Sequence, residues 1–229
     1  MTRDLASLLG GTDLLILDFD GPVAALFAGY PAAGIAVELR TLAASLGYHL
    51  TEHDPLALLQ EAEPLGDADL SARLAAADRD AEIRAAQTAE PTPGTVEVLE
   101  AARGARRRVA LASNNAVEAL SAFLRRRDLV DAVDLVVGRY DGMSPHLLKP
   151  HPHLVHRVLD GIGIAPENAV FVGDSVSDVG AGRAAGVATI GYANKPGKDE
   201  RLRDAGADVV IHHMAELADA LRLVATSAR

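Results

Sequence analysis

The chain has 229 residues, 49% of them hydrophobic and 24% charged, which suits a folded core with one inserted module and excludes a disordered polymer. Its 22 Lys and Arg against 32 Asp and Glu give a formal net charge of -10, which repels a phosphate backbone and argues against nucleic acid as a partner. With no cysteine, disulfides, thiolate nucleophiles and cysteine-ligated zinc are excluded together.

Met1 to Gly11 lacks the basic start and long apolar region of a secretory signal, and no uncharged stretch approaches the roughly 18 residues that cross a bilayer. No membrane partner is expected, and cytoplasmic residence is the simplest reading. The first strong element is Leu14 to Phe19, an apolar run closed by acids and by Gly21-Pro22, which predicts a buried parallel strand followed by a turn. From about Gly34 to Gln87 the texture becomes Ala/Leu-rich with helical spacing, as at Val37, Leu42 and Leu46. Asp54-Pro55 and Pro64-Leu65-Gly66 interrupt it. A small helical bundle is expected there.

Pro91-Thr92-Pro93-Gly94 is a rigid break, and it places a boundary between an inserted module, residues 25–90, and a core made of residues 1–24 and 91–229. Beyond the break, helix and strand alternate. Helices are expected at Thr95 to Ala102, Val117 to Arg126, Pro152 to Leu159 and Val179 to Ala185. Strands are expected at Val109 to Ala112, Leu135 to Val137 and Ala169 to Val172, with short ones near Thr189 and Val209. Such alternation predicts an α/β fold, a doubly wound parallel sheet, and such sheets bind ligands beyond the carboxyl ends of their strands where strand order reverses.

Four of those ends carry polar groups suited to one task. Asp18 and Asp20 are two apart in extended chain, so both carboxylates address the same side. Ser113-Asn114 offers a hydroxyl and amides for phosphate oxygens, and Lys149-Pro150 offers a point cation on a stiffened segment. Gly173-Asp174-Ser175 adds a third acid, with Asp178 four residues further on. Acids gathered this closely repel one another and raise each other's pKa, which a divalent cation relieves; oxygen donors favour magnesium over zinc.

With these four segments in this order, the chain resembles the haloacid dehalogenase superfamily, in its phosphoglycolate-phosphatase-like branch. Asp18-Phe19-Asp20-Gly21-Pro22, Ser113-Asn114, Lys149-Pro150 and Gly173-Asp174-Ser175-Val176-Ser177-Asp178 correspond to its four motifs, and Ala181-Gly182-Arg183-Ala184-Ala185-Gly186 extends the last. The resemblance implies a helical cap in the insertion, closing over the substrate. It also implies a Mg2+-dependent phosphatase acting on a small phosphomonoester. Asp18 is then the nucleophile that becomes an aspartyl-phosphate, and Asp20 the acid that protonates the leaving alcohol. Ser113, the Asn114 amide and Lys149 would hold the phosphoryl oxygens. Magnesium would sit on Asp18, the Asp20 carbonyl and Asp174, with Asp178 behind them.

Two other readings share these residues: a phosphomutase of the same branch, and a phosphorylation-switched protein without turnover, for which Asp20 would be of little use. Asp20 also argues against dehalogenation. Asp174 and Asp178 could alternatively cap the following helix. His151, His153 and His156 read as surface residues because their spacing fits no helical ligand pair, and His212-His213 because neighbouring side chains diverge on a strand. The triplets Arg106 to Arg108 and Arg125 to Arg127 read as solvated helix ends, and Asn194-Lys195-Pro196-Gly197 as a surface loop with a weaker alternative beside the cleft. Substrate choice would rest on the insertion, where Arg40, His49, His53, Arg73, Arg79 and Arg84 are candidate contacts.

Overall fold

The computed structural model describes residues 4–227. Met1 to Arg3, which belong to the start read as lacking a signal, and the last two residues of the expected core module lie outside the described residues.

Ten helices and six strands are described. In chain order they are α1 (Leu5–Gly10), β1 (Leu14–Leu17), α2 (Ala32–Ser45), α3 (Pro55–Ala62), α4 (Ala68–Thr88), α5 (Thr95–Gly104), β2 (Arg108–Ala116) and α6 (Val117–Arg126). There follow β3 (Leu135–Arg139), α7 (His153–Ile162), β4 (Ala169–Gly173), α8 (Val176–Ala184), β5 (Ala188–Tyr192), α9 (Lys198–Asp204), β6 (Val209–Ile211) and α10 (Met214–Ser227). The strands form one sheet in the order β3-β2-β1-β4-β5-β6, every pairing parallel.

The four apolar residues of β1 explain its central place. All are buried, and their alternation feeds both faces: Leu15 and Leu17 join a cluster with Leu99, Phe123 and Leu217, while Leu14 and Ile16 join one with Leu154, Val158 and Ala181. Each fully buried aliphatic side chain contributes about 1.5–3 kcal/mol relative to exposure, so a charge at Leu15 or Leu17 would open one face and a charge at Leu14 or Ile16 the other. The chain winds outward from β1 through β2 to β3, then returns to β4 on β1's other side. That reversal opens a cleft at the carboxyl end of β1.

Helices α2, α3 and α4 pack on one another around a third cluster that includes Ile35, Leu39, Leu58 and Leu74. Asp54 caps α3 by accepting from Ala57 N, with Pro55 in its first turn, and Asp67 caps α4 by accepting from Leu70 N. Helix α4 is continuous across both layers. Leu70, Leu74 and Ala81 belong to the insertion's cluster, whereas Ala85 and Ala86 belong to the main core. The chain leaves and re-enters the core side by side, since Ala24 bridges to both Asp20 and Pro91.

Some elements differ from expectation. β1 ends at Leu17, and the residues through Phe19 already belong to the turn, because Phe19 O accepts from both Val23 N and Ala24 N. β2 continues to Ala116 through an irregular stretch between Ala112 and Ala116. Helix α8 starts at Val176, three residues early, because Ser175 caps it. Helices α1, α9 and α10 were not expected; α10 places Leu217, Ala218 and Leu221 at helical spacing in the main core. No helix among the described residues is long and apolar enough to cross a membrane.

Candidate active site

Asp18 follows β1 directly and is buried, with Lys149 Nζ donating to its Oδ1 at 2.7 Å. The same ammonium lies 2.6 Å from Asp178 Oδ1 and donates to Ala112 O at 3.1 Å, so one cation joins the ends of β1, β2 and the start of α8. Burial works against that charge, but the Asp178 and Asp18 carboxylates outweigh it and hold Lys149 above the ordinary lysine range. For Asp18, burial and the Asp178 carboxylate prevail over Lys149, and the carboxyl is pushed up to about 7. Such a group is short of positive charge.

Asp20 is half-buried, and its Oδ1 accepts from Leu26 N at 2.9 Å. Burial pushes it up to about 6, against the Leu26 amide, Lys195 and Lys198, with Asp174 adding to the rise. A carboxyl in that range can exist protonated and then ionised during one reaction near neutral pH. The turn between the two acids and the insertion needs Gly21: its φ is +111°, and a Cβ there would stand 2.5 Å from Asp174 Cγ. Thr92 Oγ1 and Thr95 Oγ1 donate to Gly21 O and Pro22 O at 2.5 and 2.6 Å, fixing the turn from the other side of the insertion.

Ser113 is buried at the bulged end of β2. Asn114 faces Lys149: its Oδ1 accepts from Lys149 N at 2.8 Å and its Nδ2 donates to Lys149 O at 3.3 Å. This clasp fixes the lysine's main chain, and Ala116 stands at the N-cap position of α6. Asp178 is the N3 member of a capping box with Ser175, so the capping alternative holds for Asp178, while Asp174 caps nothing. Carboxylate oxygens of Asp18, Asp174 and Asp178 lie within 4.8 Å of one another. By its side chain Asp20 is outside that group, and the expectation for it concerns its main-chain carbonyl.

Lys195 to Gly197 are exposed, as a surface loop should be, but the segment also lies beside the cleft. Asn194 Nδ2 donates to Asp174 Oδ2 at 3.0 Å, and Lys198, which no motif singled out, pairs with the same oxygen. Asn194 and Lys195 line a cavity of about 380 Å³ together with Asp20, Phe27, Thr92 and Tyr192. None of the six polar candidates of the insertion lines it. Arg40 donates to Glu52 O at 2.6 Å, Arg73 pairs with Asp69, Arg79 with Asp141, and Arg84 with Glu38 and Tyr30. The basic triplets are likewise tied down, not merely solvated: Arg107 donates to Thr12 O, and Arg126 and Arg127 both donate to Ala89 O at the end of α4.

A reversed sheet order with acids at the ends of adjacent β1 and β4 and a lysine between them defines a hydrolase of the haloacid dehalogenase type. The chain belongs to the haloacid dehalogenase-like hydrolase family, whose model matches residues 13–186. It is similar to the phosphoglycolate phosphatase of Nitrosococcus oceani, with 32% identity over 131 residues, 56% of each chain. Against that of Escherichia coli (strain K12) the identity is 28% over 131 residues, 57% of this chain and 51% of the other. The alignments thus span about half the length of these relatives. Among solved structures, CbbY from Rhodobacter sphaeroides in complex with phosphate superposes with a TM-score of 0.67 at 20% identity, over 90% of this chain and 96% of that one. A proposed β-phosphoglucomutase from Bacteroides vulgatus gives 0.69 at 17% identity, over 96% and 97%.

Proposed function

We propose that the protein is a Mg2+-dependent phosphatase that hydrolyses a small phosphomonoester through an aspartyl-phosphate at Asp18, with residues 25–90 acting as a cap. The observation that carries this is the pair of first-turn acids with different surroundings: Asp18 enclosed against a lysine, Asp20 half-buried and lining the cavity. Acid and nucleophile are assigned by such differences in environment. Similarity to phosphoglycolate phosphatases supports the same reading.

A divalent ion fits the donor set. The three clustered side chains offer hard carboxylate oxygens alone, and the ammonium groups of Lys149 and Lys198 stand where positive charge is wanted. Asp18, Asp174 and the Asp20 carbonyl would hold it, and the ion supplies charge neutralisation for the transferring phosphoryl oxygens. The protein's own residues do the rest. Asp18 attacks phosphorus while Asp20 delivers a proton to the departing alkoxide. Water then attacks the acyl phosphate, Asp20 takes its proton, and Asp18 is released with inorganic phosphate. Lys149 and Ser113 hold the phosphoryl oxygens, and Asp178 orients Lys149.

The test is phosphate release from p-nitrophenyl phosphate and from a panel of sugar phosphates and phosphoglycolate, with Mg2+ present. Turnover that disappears in Asp18→Asn supports the reading. Isomerised sugar phosphate without free phosphate would replace hydrolysis by phosphoryl transfer within the substrate, and no turnover with a long-lived phosphoprotein would replace both by a switch.

A further inference from the structure

One buried polar cluster has no part in that mechanism. Asp78 and Glu82, one turn apart on α4, are each 1% exposed, and Arg139 at the end of β3 is 5% exposed. Removing such groups from water costs about what their attraction returns, and well-packed apolar residues often do as well or better. Stability alone does not account for them.

Their hydrogen bonds converge on the segment after Ser113. Arg139 Nη2 donates to Asp78 Oδ2 at 2.5 Å and to Glu82 Oε2 at 2.9 Å. Glu82 Oε1 accepts from Asn115 Nδ2 and its Oε2 from Ala116 N, both at 2.7 Å. Arg139 Nε donates to Asn114 O at 3.2 Å. Each of the three residues after Ser113 is therefore held by Glu82 or Arg139. β3 comes this close because position 138 is glycine: a Cβ there would stand 2.7 Å from Asn115 O and 2.9 Å from Val117 N.

The Ser113 hydroxyl is a rotor whose direction is set by the acceptor it finds. Asn115, whose side-chain nitrogen is committed to Glu82, places the serine oxygen twice over, its N donating to Ser113 Oγ at 3.3 Å and its Oδ1 accepting from that hydroxyl at 3.1 Å. In the proposed reaction the hydroxyl proton would turn from Asn115 Oδ1 to a phosphoryl oxygen while the bond from Asn115 N stays. Burial first, and then the Glu82 carboxylate, push Asp78 up to about 7.

We infer that Glu82, carried by α4 and clamped by Arg139, is a positioning residue that places the Ser113 oxygen through Asn115 and so ties the seating of the helical insertion to the geometry of the phosphate cradle. This rests on the phosphatase reading, which assigns Ser113 to the phosphoryl oxygens. Because α4 runs unbroken from the insertion's cluster into the main core, a shift of the insertion moves Glu82, and the serine loses its orientation.

The experiment compares Asn115→Ala, the shape-preserving Glu82→Gln, and the destabilising control Leu221→Ala in α10, which lies in the main core away from the site. Turnover of p-nitrophenyl phosphate, melting temperature and amide exchange over residues 113–116 are measured on each. In both site variants kcat falls about tenfold or more while KM changes less than about twofold, and Ala116 exchange accelerates by about tenfold or more. Leu221→Ala lowers the melting temperature at least as far, with kcat and Ala116 exchange within about twofold of wild type. Unchanged kcat and exchange in Asn115→Ala and Glu82→Gln, with Asp18→Asn still inactive, overturns the coupling and leaves the hydrolytic reading in place. An equal kcat loss in Leu221→Ala also overturns it, since general loosening would then suffice. A wild-type chain that releases no phosphate from any phosphomonoester overturns the hydrolytic reading itself, and the coupling then stands or falls on the exchange arm.

Discussion

The acids on α4 are almost wholly buried, while those at the ends of β1 and β4 run from buried Asp18 to half-buried Asp174, and the two groups are accommodated by different means. On α4, Asp78 and Glu82 enclose the guanidinium of Arg139, and amides of the neighbouring strand take both Glu82 oxygens, leaving Asp78 Oδ1 without a hydrogen-bond partner. At the strand ends, Asp18, Asp174 and Asp178 share Lys149 and the partly exposed Lys198, and Asp174 borders a cavity. The first set is enclosed around its one guanidinium, whereas the second borders an opening through Asp174. Each set has one acid more than it has bases, so burial and surplus of charge alone do not mark a reaction centre; an opening beside them does.

Several measurements would sharpen or break that contrast. Asp18→Asn should cost the most, about 10⁴-fold or more in kcat for p-nitrophenyl phosphate, because it removes the attacking group. A loss under tenfold would take the reaction away from β1. Lys149→Met should cost about 10²–10³-fold, by removing the buried charge opposite Asp18 and Asp178 together.

Metal should act on one cluster only. Chelation with EDTA should abolish phosphate release, and Mg2+ at about one hundred times its Kd should raise the wild-type melting temperature by roughly 5 °C or more. Asp174→Asn should blunt that shift and Asp78→Asn should leave it, and equal shifts in the two variants would erase the distinction between the clusters.

The smallest effect is a slope with pH. Asp78 has its folded-state pKa raised to about 7 from an ordinary value of 3.8, chiefly by burial. Below the unfolded value its stabilising contribution is fully present, and it is lost as pH rises through about 7. The wild type should therefore lose about 4 °C more than Asp78→Asn in melting temperature between pH 5 and pH 8. Parallel curves would mean that Asp78 stays ionised in the folded protein.

Asp18 and Asp174 were legible because each follows an apolar run beside a turn signal, Gly21-Pro22 and Gly173, and Lys149 because Pro150 follows it, although it lies in the connection well beyond β3 and not at a strand end. What hides Glu82 is the helix it sits on. Asp-Arg-Asp-Ala-Glu-Ile-Arg reads as a charged, solvated face, and only the approach of β3 through Gly138 turns two of its acids inward. Arg139 gave no signal, being one arginine at a strand end. Lys198 escaped notice because it reaches Asp174 from α9, a helix the hydrophobic pattern did not reveal. Contacts between distant segments decide these cases, and local pattern does not carry them.

β1 has no neighbour close in sequence. Leu14 pairs with Arg108 on one side and with Ala169 on the other. During synthesis the strand is flanked on one edge after residue 111 and on the other only after residue 172, so an all-apolar segment waits with unsatisfied main-chain groups while most of the chain is made. Chains stopped before β4 keep that edge open and should aggregate, while the locally closed helices 32–88 should not need the later strands to meet one another.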